Sequence, residues 1–118
     1  MGVLVACLTT GKGTWGAVSE LMRSAEWTKI FIVTNKFGKE KFSHQKPFEF
    51  IEINPDGSLE EIRDSVVQGL KGKILDTEAG LNMESGTGKE HMAVLSALLK
   101  LGLGVRIVSS EGGTLREL

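Results

Sequence analysis

The chain is predicted to be an α/β domain, a Rossmann-like three-layer sandwich around a mostly parallel five-stranded sheet ordered 3-2-1-4-5. Three observations carry this expectation. The runs "GVLVACL" (2–8), "KIFIVT" (29–34) and "VRIVS" (105–109) are nearly continuous in apolar residues, the pattern of strands covered on both faces. Segments of helical spacing separate them, and such alternation of strand and helix is the pattern of a parallel sheet. Each of two strands leads directly into a glycine-rich loop.

Taken in order, the run 2–8 is the first strand, and Trp15, Val18, Leu21, Met22 and Ala25 then recur at three and four residues to make the stripe of a first helix. The second strand is 29–34. Segment 35–47 reads as a short helix or a lysine-rich loop, which leaves open the direction of the third strand, 48–53. There Phe48, Phe50, Ile51 and Ile53 suit an edge position. Leu59, Ile62, Val66 and Leu70 mark the next helix, with Ser58 and Glu61 as its capping box and Gly72 as its stop. A strand is expected within 73–82, where Asp76 and Glu78 interrupt the apolar pattern. The last helix starts at the capping box Thr87 and Glu90, carries Met92, Leu95, Leu98 and Leu99 as its expected buried stripe, and ends at Gly102. The tail "SSEGGTLREL" reads as flexible or as part of a dimer contact.

The 118 residues are expected to form one domain, 1–118, and 41% apolar with 25% charged residues is the balance of an ordinary globular protein. No run approaches the ~20 apolar residues of a membrane span, and the first strand begins where a signal peptide would lie, so the expected compartment is the cytoplasm. The net charge of −1 argues against duplex nucleic acid as a partner. Locally, 35–46 is net +3 and 52–64 is net −4: two solvated faces, or a basic rim on an anion site. Cys7, alone of its kind, reads as an inert core thiol. Cys7, His44 and His91 lack metal-ligand spacing, so neither a metal nor a resident cofactor is expected.

The loops "TTGKGTW" (9–15) and "ESGTGKE" (84–90) carry the functional signal. In the order 3-2-1-4-5 the first and fourth strands are neighbours at the switch point, where ligands bind beyond the strand ends, so the loops are expected to face one another. Gly11, Gly13, Gly86 and Gly88 let backbone approach a ligand, helix starts offer N–H groups to an anion, Lys12 and Lys89 add charge, and Thr9, Thr10, Ser85 and Thr87 add hydroxyls. "GKGTWG" matches the dinucleotide fingerprint literally. Yet Trp15 stands where pyrophosphate would pass, and Thr34-Asn35 replaces the ribose-binding acid. In the second loop Met83 replaces a required glycine and Glu90 the Mg²⁺-binding hydroxyl, which excludes an ATP-hydrolysing P-loop. His91, near the start of the last helix, is either a packing residue or one that points into the crevice.

At "LVACLTTGKGTW" and "LNMESGTGKEHMAVLSALLKLGLGVRIV" the chain resembles the CRISPR-associated Rossmann-fold (CARF) domains. These carry a Thr/Ser/Gly loop after the first strand and, later, Asn or Asp followed by Ser/Thr-Gly-Gly-Thr-Lys-x-Met at the start of a long helix. Gly86, Thr87, Lys89 and Met92 are the counterparts here, and Asn82 is expected among the ligand-binding residues. Gly88 is an added residue, and Gly11 stands where some members have serine. The resemblance implies a homodimer that senses a cyclic oligoadenylate in antiviral defence, with Thr10, Gly11 and Lys12 on the floor and Lys89 on a phosphate or ribose hydroxyl. It also implies an alternative, a metal-independent ring nuclease with Lys89 as the catalytic residue. A plain dimeric interaction module is the third alternative.

Overall fold

A computed structural model of the chain describes residues 2–9 and 13–118. The elements are β1 (Val3–Leu8), α1 (Trp15–Arg23), β2 (Lys29–Thr34), α2 (Lys36–Lys41), β3 (Glu49–Glu52), α3 (Leu59–Leu70), β4 (Glu78–Asn82), α4 (Gly88–Lys100), β5 (Gly104–Glu111) and β6 (Thr114–Glu117). They form one sheet in the order β3-β2-β1-β4-β5-β6. The first five strands are parallel and β6 is antiparallel to β5. The α/β class and the 3-2-1-4-5 core are as expected, with one strand more at the edge.

Strand β1 is buried along its whole length because it is central and covered on both sides. Its side chains alternate between two cores, as a period of two requires. Val3, Val5 and Cys7 join Ile62, Val66 and Leu70 of α3 and Val94, Ala97 and Leu98 of α4. Leu4, Ala6 and Leu8 join Val18, Leu21 and Met22 of α1 and Phe42 after α2. Helices therefore cover both faces, which makes the three layers. The segment 35–47 resolves into the short helix α2, capped by the Asn35 side chain, and β3 runs parallel to β2. Both expected capping boxes are formed, Ser58 with Glu61 and Thr87 with Glu90. The hydrogen bonds of Ser58, backbone first and then hydroxyl, hold the Glu61 carboxyl below its usual range.

Three expectations need correction. Of the two readings of the tail, the flexible one gives way to a strand: Gly112 and Gly113 have φ of 59° and 81°, the conformation of a two-residue hairpin turn whose twist suits its strands, and the turn folds β6 back on β5. The strand sought in 73–82 is confined to Glu78–Asn82, and the interrupted stretch before it is irregular. In α4, the buried residues are Glu90, Ala93, Val94, Ala97 and Leu98, whereas Met92 and Leu99 are 62% and 60% exposed. Apolar residues lie on more than one side of this helix. The small Ala93 and Ala97 let it approach the sheet and α3 closely, and that choice turns Met92 and Leu99 outward. Among the described residues, no helix is long and apolar enough to cross a membrane.

Cys7 lies in the core beneath the C-terminal end of the sheet. Burial, with the Glu90 carboxylate adding to it, pushes its thiol up to about 12. Its folded value is above the unfolded one of 9.0, so the stability it contributes is fully present below pH 9 and is lost as pH rises toward 12. At pH 8 the thiol is expected to resist an aromatic disulfide reagent until guanidinium unfolds the chain. Stoichiometric labelling of the native protein within minutes would contradict this placement.

Candidate functional site at the β1–β4 switch point

Strand β1 pairs β2 on one side and β4 on the other, so the chain reverses direction across the sheet between β1 and β4. The residue after β1, Thr9, meets the loop after β4. Its backbone N–H donates to Ser85 Oγ at 3.1 Å, and its hydroxyl donates to Glu90 Oε1. Its carbonyl accepts from Asn35 Nδ2 at 3.2 Å, which ties in the end of β2 as well. Thr9 is thus held by three elements at once.

Glu90 reaches this point because it shares the inner face of α4 with Val94, Ala97 and Leu98, at intervals of four, seven and eight residues. Its Oε1 also accepts from Thr87 N at 3.0 Å, while its own N–H donates to Thr87 Oγ1 at 3.3 Å. The cap of the helix and the closure of the switch point are one cluster. His91 belongs to it, since Nε2–H donates to the Ser85 carbonyl at 2.8 Å, which assigns the proton to that nitrogen. Gly86, with φ of 107°, passes between these groups. A Cβ there would lie 3.0 Å from each of Glu90 Oε1, His91 Nε2 and Thr9 Oγ1.

The expected site residues fall into groups. Thr9, Ser85, Gly86, Thr87 and His91 come together at the switch point, joined by Glu90. Thr10, Gly11 and Lys12 lie outside the described residues. Gly13 is exposed just before α1. Asn82 is buried and turned toward β5, donating through Nδ2 to the Val108 carbonyl and to Glu84 Oε1, both at 2.9 Å. It braces the sheet below the loop. Lys89 reaches the loop after β3, its Nζ 3.5 Å from the Pro55 carbonyl. The first two amides of α4, those of Gly88 and Lys89, have no acceptor within the helix, and none is recorded for them among the described residues. They are the exposed donors of the site.

Sequence reasoning passed over the second wall of this region. A cavity of about 430 Å³ opens beyond β2 and β3, lined by Asn35, Lys36, Phe37, Glu52, Asn54 and Pro55 among others. The signal for it was positional: Asn35 directly follows β2, as Thr9 follows β1, and ligands collect at strand ends. The basic and acidic segments meet at its rim, where Lys39 pairs with Glu52 at 3.4 Å. The charge asymmetry is therefore in part an internal ion pair. Comparison of the chain with protein-family models and with curated proteins gave no match.

Proposed function

We propose that this chain is a nucleotide-binding domain of the CARF type that senses a cyclic oligoadenylate at the switch point, as a cytoplasmic homodimer serving a CRISPR-linked antiviral response. One observation carries the reading: the glycine-rich loop after β4 and the residue after β1 meet at the reversal of the sheet, with Thr9 N and Ser85 Oγ 3.1 Å apart. This is the position at which doubly wound sheets take ligands, and the Gly88 and Lys89 amides beside it suit a phosphate. The homodimer is supported by Met92 and Leu99, which form an exposed apolar line along α4 starting at the site. Two copies joined through that line would bring two sites together around a symmetric ring. Sensing is favoured over ring cleavage because the Lys89 ammonium rests by the Pro55 carbonyl.

The test is thermal melting with cyclic tetra- and hexa-adenylate, linear oligoadenylate, ATP and NAD, with product analysis after incubation. At a ligand concentration ~100 times Kd the native state gains about 2.7 kcal/mol, enough to raise Tm by several degrees. Lys89→Ala is expected to shrink the shift without lowering the Tm of the free protein. Cleaved product from the wild type would favour the ring nuclease. The absence of a shift with every nucleotide would leave the interaction module as the better reading.

A further inference from the structure

On the face of the sheet that α1 and α2 cover, the half formed by β4, β5 and β6 has no helix of its own among the described residues, because β5 turns at Gly112 and Gly113 straight into β6. A cavity of about 390 Å³ is left there. It lies at the end of β4 that begins with Glu78, opposite to the end that carries the glycine-rich loop, and so it is separate from the switch point. Gly80 and Val108 form its floor, and Leu115 and Trp27 are apolar walls.

Trp27 is set in place from both ends of its ring system. The indole N–H donates to the Leu21 carbonyl at 3.1 Å. The benzo end rests on Gly80, where a Cβ would stand 3.5 Å from Cζ3 and Cη2 and 3.3 Å from Val108 Cγ2. A ring held in this way offers the cavity an aromatic surface with little freedom left to lose on binding.

The rim of the cavity is charged. Arg106 sits between two carboxylates, Nε donating to Glu78 Oε1 at 2.6 Å and Nη1 to Glu117 Oε1 and Oε2 at 2.8 and 3.0 Å. Glu78 Oε2 has no donor among the described residues. Two carboxylates against one guanidinium leave the rim net negative, and Asp76 adds a third beside Gly2, where a Cβ would stand 3.1 Å from its Oδ2. Lys29 and Lys73, which border Val3 from the neighbouring hollow, are engaged with the Phe31 ring and with Glu49. An anion would meet carboxylates at this rim, whereas a cation would find an unspent oxygen and an aromatic ring lining one cavity.

We propose that this cavity binds a small organic cation, a primary amine on an apolar body, with the ammonium at Glu78 and the body against Trp27, Val108 and Leu115. A volume of this order is that of a small-molecule site. The site is independent of any nucleotide at the switch point.

The experiment is an NMR titration of the isotope-labelled full chain with phenethylamine, with phenylacetate as the same ring on an anion, and with ethylamine as the same head without the ring. Phenethylamine at millimolar concentration is expected to shift the Trp27 indole N–H, the Gly80 amide and the Arg106 Nε–H, and phenylacetate none of them. Ethylamine should bind about tenfold more weakly, because it has no apolar body to bury. Glu78→Gln should weaken phenethylamine binding about fivefold, the worth of one exposed charge pair. Trp27→Leu should weaken it by about the same factor, with the rest of the spectrum in place, and Trp27→Phe should keep most of the affinity. Equal shifts with phenylacetate would overturn the choice of a cation, and equal affinity for ethylamine would reduce the cavity to surface charge. No shift with phenethylamine, or full affinity in Glu78→Gln, would overturn the site itself.

Discussion

Gly86→Ala is expected to lower the stability of the chain by about 3 kcal/mol, and its Tm by roughly 10 °C or more. Two independent effects add. At φ of 107° a side chain is strained whatever the space around it. The new Cβ would also stand 3.0 Å from three heteroatoms on three residues, Thr9, Glu90 and His91. These are bound to one another or to the loop, so none yields alone. Gly72, with φ of 76° and nothing within 4 Å, is the control: Gly72→Ala has the strain without the crowding and should lose distinctly less. Urea unfolding of both variants measures the difference. Equal losses would mean that the cluster around Gly86 is looser than its geometry.

Glu90→Ala should cost about 2–4 kcal/mol, whereas Glu90→Gln should cost only about 1 kcal/mol. Truncation leaves two donors, the Thr9 hydroxyl and the Thr87 N–H, without their acceptor in a partly buried place. It also removes one half of a capping box. The amide oxygen of glutamine can accept both hydrogen bonds, which is why the conservative change is milder. Denaturant midpoints decide the matter, and an alanine variant within 0.5 kcal/mol of the wild type would show that the carboxylate does not join the loops in solution.

Much of this architecture was legible before any coordinates. Continuous apolar runs mark strands with two covered faces, and the runs 2–8 and 29–34 became β1 and β2 almost residue for residue. Both capping boxes could be read because their chemistry is local, three residues end to end. The inner face of α4 could not, because the segment 92–99 offers apolar residues in two registers and only the fit of Ala93 and Ala97 against α3 and the sheet chooses between them. The hairpin had a signal, Gly112-Gly113 between two β-prone runs, which reading the segment as a tail overlooked. The meeting of the two loops followed from strand order. The cavity with Phe37 and Asn54 did not, since it exists only where α2 and the loop after β3 come to stand side by side.

The central strand has a further consequence, for synthesis. β1 is made before its neighbour β4, which begins only at Glu78, and α4, one of the two helices packed with Val5 and Cys7, follows still later. Until then the ribosome has released a half-sheet in which β1 is an edge strand, with bare N–H and C=O groups beside apolar side chains, the arrangement that recruits other chains. The segment from β4 through α4 therefore works as a late-arriving seal. The hydrogen bond between Thr9 and Glu90, 81 residues apart, is a mark that the seal has closed.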